Sequence, residues 1–215
     1  AMAPNEKVDF LLSADLPADV DGLDEERHQD VLESLRVMAR IQDYNGPRSC
    51  HRFIISNCRG IIDIAAVVGL AKMAGVWKKM ELDVVPLFET IDDLANAQSE
   101  VQLMYAHPVY RAHVSTRKEK QTVMLGFSDG TKDGGYLQAN WSIYQAKRRL
   151  TELSRSAGVT VLFFDGRGGP PARGGGNTHR FYASLGSDVE NTEIQTTIQG
   201  QTISSNFGTL ESSQY

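Results

Sequence analysis

The sequence has little of what secreted, membrane-spanning or nucleic-acid-binding proteins use. Its only cysteines, Cys50 and Cys58, match neither a disulfide framework nor a metal-site spacing, so we expect a reduced, cytoplasmic compartment. The longest apolar run, residues 61–71, contains Asp63 and is shorter than a membrane span. No basic segment followed by an apolar one opens the chain, so no secretory signal is predicted. A formal net charge of -5 over 215 residues argues against general nucleic-acid or membrane binding.

Four common functional patterns are also missing. The glycine-rich segment at 166–171 lacks the third glycine of the dinucleotide fingerprint, and no Walker lysine follows it. The chain has no GxSxG nucleophile motif and no paired cysteine and histidine constellation. These absences exclude the standard nucleotide-binding and nucleophilic sites.

What is present is an alternation of strand and helix patterns through the middle of the chain. Short apolar runs predict strands, and longer amphipathic or apolar runs between glycine and proline punctuation predict helices. The predicted strands are 53–56, 83–88, 122–127 and 159–164, and the helices between and after them are 61–74, 90–104 and 134–156. Residues 192–205 are predicted to be extended. A strand followed by a helix, repeated in this way, indicates an α/β fold with a parallel sheet.

Residues 1–50 precede this alternation and form a different region. They are predicted to be an N-terminal arm followed by a helix that starts near residue 24. Its predicted apolar face contains Val31, Leu35, Met38 and Ile41.

Polar side chains follow the predicted strands at the point where each strand ends. They are Ser56, Glu89, Asp129 and Arg167, which are 33, 40 and 38 residues apart, the spacing of successive βαβ units. Parallel α/β folds place their active sites at the carboxyl ends of the strands. We therefore expect these residues to collect at one site.

Glu89 and Asp129 form the most informative pair at that edge. Two carboxylates at neighbouring strand ends repel each other unless a cation offsets their charge, and oxygen ligands favour Mg²⁺ or Mn²⁺ over zinc. The alternative is that each carboxylate caps the helix that follows it. The spacing alone favours neither.

Two glycine-rich loops carry the cations of the predicted site. Arg167 and Arg173 lie in the loop after the last predicted strand, where glycine lets the backbone approach an anion closely. Lys132 lies in the loop 128–135. These groups suit a phosphate or carboxylate ligand; the alternatives are a flexible surface loop and a solvated lysine.

Three long motifs resemble the phosphoenolpyruvate carboxylase family in sequence and in order. They are VPLFETIDDL at 85–94, VMLGFSDGTKDGG at 123–135, and GRGG at 166–169 with RGG at 173–175. The similarity covers roughly 52–208. It implies that 51–208 is part of a (β/α)₈ TIM-type barrel, that 209–215 is a truncated tail, and that the parent is a homotetramer.

The resemblance also implies a reaction. The family is a group of lyases (carboxy-lyases) that join bicarbonate to phosphoenolpyruvate, giving oxaloacetate and phosphate. The reaction fixes carbon dioxide and replenishes the tricarboxylic acid cycle. In the family, carboxyphosphate and the enolate of pyruvate form first, and the enolate then attacks carbon dioxide.

Residue by residue, the resemblance assigns roles to the predicted site. Glu89 and Asp129 match the ligands of Mg²⁺ or Mn²⁺. Arg167 matches a contact to the substrate phosphate, and Lys132 matches a lysine beside the phosphate and bicarbonate. Arg173 matches an arginine of the mobile loop that is needed for carboxylation and that binds the inhibitor aspartate in some members.

Two apolar residues complete the set that the resemblance implies. Leu87 and Met124 match the pocket around the methylene carbon of the substrate. All seven residues lie within the three motifs.

The sequence departs from the family pattern in several places. Asp165 stands where many members have histidine, and an acid there is expected to weaken the local positive field on the bicarbonate side. Pro170 and Pro171 are expected to stiffen the loop. The catalytic histidine motif and the carboxyl-terminal arginines of the family are absent, and the chain stops at Tyr215 without a helix-ending signal. We therefore expect a fragment that is inactive alone and that associates with itself.

Two other functions are compatible with the residues. One is a non-catalytic α/β module that binds phosphate or another anion, which has no need of Glu89 and Asp129. The other is RNA binding through the arginine- and glycine-rich loop, although that loop follows a buried strand and lacks interleaved aromatic residues.

Overall fold

The computed structural model describes residues 2–16, 26–166, 177–197, 203–204 and 207–214. Helices and strands alternate over most of this length. The helices are α1 (Pro4–Ser13), α2 (Glu26–Asn45), α3 (Ile61–Met73), α4 (Ile91–Ala106), α5 (Pro108–Thr116), α6 (Ser128–Ser156), α7 (Thr178–Ala183) and α8 (Leu210–Ser213). The strands are β1 (Arg52–Ile55), β2 (Asp83–Phe88), β3 (Lys120–Gly126), β4 (Thr160–Gly166) and β5 (Ile194–Thr196).

The five strands form one parallel sheet in the order β1-β2-β3-β4-β5. This confirms the predicted α/β class and the parallel sheet. Because parallel crossovers are right-handed, strands that follow each other without reversal place their connecting helices on the same face. A doubly wound sheet reverses its strand order and carries helices on both faces. The observed order is therefore consistent with part of a barrel.

The helix-facing side of the sheet holds the main apolar core. Alternate residues of each strand contribute to it, among them Val84 and Phe88 of β2, Val123 and Leu125 of β3, and Val161 and Phe163 of β4. The residues between them point to the opposite face, because successive side chains of a strand alternate. The sheet thus has a helix-facing side and a second side, which we call the inner face.

Local signals define several element boundaries as predicted. Thr90 caps α4 by accepting a hydrogen bond from the Asp93 N–H, and the Asp93 carboxylate accepts from the Thr90 N–H in return. Gly75 follows α3 with φ 73°, a conformation that favours glycine. The predicted strand over 83–88 matches β2 at both ends.

The N-terminal region contains a helix that the sequence did not predict. α1 packs on α3 through Val8 and Leu12. The Lys72 ammonium of α3 donates to the carbonyls of Leu11, Leu12 and Ala14, at 3.2, 2.7 and 3.0 Å. A cation is favourable at a helix C-terminus, where carbonyl groups lack helical partners. The described part of the predicted arm, residues 2–16, is therefore docked on α3.

Three predictions about individual elements are wrong. Residues 128–133, predicted as a flexible loop, form the first turns of α6, which kinks at Gly135 (φ 78°, ψ 172°). Val31, predicted to be buried on α2, is 39% exposed, and Leu32 takes the buried position beside Leu35. Residues 203 and 204 are helical rather than extended.

Within the described residues, no helix is both long enough and apolar enough to cross a membrane.

Candidate active site

The inner face of the sheet brings the predicted apolar pair together. Leu87 of β2 and Met124 of β3 are register partners on adjacent strands. A side chain added at Gly166, the last residue of β4, would begin 2.8 Å from the Met124 Cε atom. Leu87, Met124 and the end of β4 therefore lie side by side at the carboxyl ends of three strands, where the sequence predicted a site.

Glu89 follows β2 directly and is half-buried. Its Oε2 atom accepts a hydrogen bond of 3.1 Å from the backbone N–H of Asn57, in the loop after β1. On its other side lies Gly126, where a Cβ atom would sit 3.1 Å from the Glu89 Cα and 3.2 Å from its Cγ. Glu89 is thus held between the ends of β1 and β3, and its carboxylate does not cap α4, which Thr90 caps.

Asp129 lies in the first turn of α6, just beyond β3. Its Oδ1 atom is 2.8 Å from the Lys132 ammonium, and the side chains are 47% and 77% exposed. The hydrogen bond to Asp129 raises the pKa of Lys132. In this pair the lysine is exposed but bound to a carboxylate, and the aspartate binds the lysine instead of capping its helix. The roles predicted for the two residues at the site stay predictions.

The backbone brings the two carboxylate-bearing segments into contact. Gly126 touches Glu89, and a Cβ at Gly130 would lie 3.5 Å from the Glu89 carbonyl oxygen. Asp129 therefore belongs to the segment that passes directly over Glu89. Across the parts of the chain described above, no group of three or more histidine, cysteine, aspartate or glutamate side chains is placed to hold a metal ion. Mg²⁺ is commonly bound by one or two carboxylates with water and substrate oxygens, so this donor set fits it.

Arg167 and Arg173, the cations predicted for the glycine-rich loop, lie outside the described residues, as do Pro170 and Pro171. Their predicted contacts stay predictions. The structure describes the end of the strand that leads to them, Gly166, on the inner face beside Met124.

The expectation that Asp165 weakens the positive field of the site is wrong, because its side chain points away from that site. Asp165 points to the helix-facing side of β4 and is fully buried. The Lys147 ammonium of α6 lies 2.8 Å from its carboxylate, and the Tyr182 hydroxyl of α7 donates to its Oδ2 atom at 2.6 Å. Because the charge is paired and faces away from the inner face, it does not weaken a positive field there.

The sequence reasoning missed Asn57, Gly126, Lys147 and Tyr182. A glycine inside an apolar strand signals a close backbone approach, and Gly126 carries that signal. Lys147 carries another, because it lies on the buried stripe of α6 with Ile143, Ala146 and Leu150. A lysine in an apolar stripe requires a buried partner. No pattern in the sequence identifies Asn57 or Tyr182.

A cleft of about 500 Å³ lies at the other end of the strands, around Arg52, Asp83 and Lys120. Its charged side chains are largely engaged with each other. Arg117 donates to Asp83 and to Glu81 at 2.6 Å each, and Lys120 donates to Glu193 at 2.6 Å. We assign these pairs to holding the amino ends of the strands, and the candidate site remains at the carboxyl ends.

Comparison with known proteins gives a consistent result. Residues 11–215 match the protein family described as phosphoenolpyruvate carboxylase. The chain is 40% identical to the phosphoenolpyruvate carboxylase of Corynebacterium diphtheriae over 81% of its length, which is 19% of that protein. It is 36% identical to that of Rhodothermus marinus over 86% of the chain and 21% of the relative. It is 33% identical to that of Gloeobacter violaceus over 94% of the chain and 21% of the relative. The chain spans about a fifth of the length of these curated relatives.

Proposed function

The chain belongs to the phosphoenolpyruvate carboxylase family, and from that premise we propose that it is the metal-bearing part of a carboxylase barrel. The parent enzyme joins bicarbonate to phosphoenolpyruvate and releases oxaloacetate and phosphate. The observation that carries this proposal is the placement of Glu89 and Asp129 on touching segments at the carboxyl ends of β2 and β3, within motifs of the family.

Glu89 and Asp129 are the residues that would hold Mg²⁺ or Mn²⁺. When bound, the cation supplies charge stabilisation for the enolate oxygen that develops as the phosphoryl group leaves. The Asn57 N–H orients one oxygen of Glu89 and leaves the other available. Lys132 now neutralises Asp129, and its long exposed side chain is free to turn toward an incoming phosphate or bicarbonate.

The apolar pair has a separate role. Leu87 and Met124 would contact the methylene carbon of the substrate, which is the carbon that attacks carbon dioxide. An apolar surface there excludes water, which would otherwise protonate the enolate. Arg167 is proposed to bind the substrate phosphate and Arg173 to close over the site, as members of the family use the matching arginines.

Carboxylation requires groups that this chain does not contain, because the catalytic histidine of the family lies in another segment. We therefore propose that the 215-residue chain alone releases no oxaloacetate, and that the parent assembles as a homotetramer in the cytoplasm. A non-catalytic anion-binding module remains the alternative, and the metal site separates the two.

Mn²⁺ binding to the 215-residue chain tests the proposal. Electron paramagnetic resonance of free Mn²⁺ measures binding by the wild type, Glu89→Gln and Asp129→Asn. Both substitutions keep size and remove charge, so each is expected to weaken binding by about tenfold or more. Glu193→Gln, which removes a carboxylate at the opposite end of the sheet, is the matched control and should bind as the wild type does.

The same samples decide between the two functions. Mn²⁺ binding that survives both substitutions contradicts the metal assignment, and phosphate affinity that both substitutions leave unchanged favours the anion-binding alternative. A coupled oxaloacetate assay on the same chain should give only the background rate, and turnover would contradict the proposed need for the rest of the enzyme.

A further inference from the structure

A buried charged cluster lies directly behind the candidate site. It consists of Lys147 of α6, Asp165 of β4 and Tyr182 of α7, and we call it the β4 anchor. The Lys147 and Asp165 side chains are 2% and 0% exposed, with the ammonium 2.8 Å from the carboxylate. The Tyr182 hydroxyl donates to Asp165 at 2.6 Å, and the Lys147 ammonium lies 5.6 Å from the centre of the Tyr182 ring.

Such a cluster is a costly way to stabilise a fold. Burial removes both charges from water, and a well-packed apolar pair of the same volume is often at least as stable. What an ion pair adds is direction, since its hydrogen bonds allow few geometries. The anchor is therefore better explained by what it fixes in place than by the stability it adds.

What it fixes is the point where the chain leaves β4. Asp165 and Gly166 are consecutive, so their side-chain directions point to opposite faces of the sheet. With Asp165 held in the helical layer, the Gly166 Cα is turned to the inner face, where a Cβ would lie 2.8 Å from the Met124 Cε and 3.3 Å from the Leu125 carbonyl oxygen. Holding Asp165 thus sets the position of Gly166 beside Met124, at the wall of the proposed apolar pocket.

The anchor also ties that wall to α6, the helix that begins at Ser128. Lys147 lies on α6, beyond the kink at Gly135 from the turns that carry Asp129 and Lys132. Tyr182 reaches the same carboxylate from α7, beyond the loop that follows β4. The carboxylate therefore joins three elements that meet at the carboxyl end of the sheet.

We propose that Lys147 and Tyr182 are positioning residues of the active site, which act through Asp165 to fix the end of β4 against Met124. Neither residue touches the substrate. The proposal rests on the proposed function for the identity of the substrate, phosphoenolpyruvate. In this proposal Asp165 does not bind the substrate, because its carboxylate faces away from the inner face.

Steady-state kinetics of the full-length carboxylase that contains this chain test the proposal. Lys147→Met keeps the length of the side chain and removes its charge; it should raise the KM for phosphoenolpyruvate about tenfold. Tyr182→Phe removes only the hydroxyl and should raise KM about threefold. Lys147→Met combined with Asp165→Asn removes both charges, and Asn can still accept from Tyr182, so KM should return to within about threefold of the wild type.

The control is Lys120→Met, which breaks the exposed pair with Glu193 at the amino end of β3 and should leave KM unchanged. Thermal unfolding is measured for every variant. A lower unfolding temperature with unchanged KM would show that the anchor is structural only. A combined variant as impaired as Lys147→Met alone would show that the Asp165 charge acts by itself, and either result overturns the proposal.

A binding measurement separates this inference from the proposed function. Calorimetry measures the affinity of the wild type and of each variant for phosphoenolpyruvate in the presence of Mn²⁺, without turnover. If the wild type binds phosphoenolpyruvate but forms no oxaloacetate, the carboxylase proposal fails and the anchor is judged on affinity alone. If the wild type binds none, both fail.

Discussion

At the scale of single residues, His113 shows how burial sets a protonation state. Its ring lies 4.5 Å from that of Trp77 and 5.6 Å from that of Tyr110. Burial, with a smaller contribution from the nearby Arg117, lowers the pKa of His113 to about 4, against opposing contributions from Asp83 and the Leu82 backbone. The ring is therefore neutral in the folded protein near neutral pH and packs as an aromatic side chain.

This shift predicts a pH dependence of stability. Between pH 6.5 and pH 4 the unfolded chain binds a proton at His113 and the folded chain does not, so stability falls as the pH drops through that range. The contribution lost between pH 7 and pH 5 is about 2 kcal/mol. Urea unfolding at the two pH values should show this loss in the wild type and a smaller one in His113→Gln.

The exposed His179 provides the comparison. His179→Gln should keep the pH dependence of the wild type, because the substitution does not alter the burial of His113. An equal loss of stability in all three proteins would assign the dependence to other groups and contradict the role given to His113.

At the scale of elements, the end of β3 is shaped by the missing side chain of Gly126. The Glu89 backbone passes so close that a Cβ would sit 3.1 Å from its Cα. Gly126→Ala should therefore displace Glu89, at a cost of about 1 to 3 kcal/mol, and weaken Mn²⁺ binding. Urea unfolding and Mn²⁺ titration measure the two effects.

Gly130 in the first turn of α6 gives a matched control. An added Cβ there would make ordinary contacts, 3.5 Å to the Glu89 carbonyl oxygen and 3.7 Å to Ala139. Gly130→Ala should keep Mn²⁺ binding and raise helix stability slightly, since alanine is the better helix former. Loss of binding in both variants would show that the effect is not specific to Gly126.

The elements also show what the sequence can and cannot reveal. The strand β2 follows from a continuous apolar run between charged residues, and Glu89 and Asp129 were located because strand ends share an edge. The first turns of α6 were missed because Gly130 and the following pair, Gly134 and Gly135, disfavour a helix until Gly130 packs against Glu89. The direction of Asp165 depends on Lys147, 18 residues away, and no local pattern carries that information.

At the scale of the whole molecule, the described surface has an apolar patch on α6. Tyr136, Leu137 and Trp141 are 68%, 81% and 55% exposed. Large contiguous apolar surface favours association, and the sheet also ends in the outer strands β1 and β5. The expected self-association of the chain thus has a physical basis in the fold.

Sedimentation velocity checks this expectation. The wild type should show a mean mass that rises with concentration above the 23.7 kDa of one chain. Leu137→Glu combined with Trp141→Glu should shift the distribution toward the monomer. Leu103→Glu, which places one such charge at an exposed leucine of α4, should not. A concentration-independent monomer of the wild type would contradict the expectation.

The sequential order of the strands has a consequence for how the chain folds. Each strand pairs with the strand that the ribosome delivered before it, so among the described elements every pairing closes a loop that contains one or two helices. Such short loops keep the contact order low for a parallel sheet, and low contact order favours rapid folding. The sheet can therefore grow one unit at a time during synthesis, with Glu89 in place before the segment that carries Asp129 emerges to meet it.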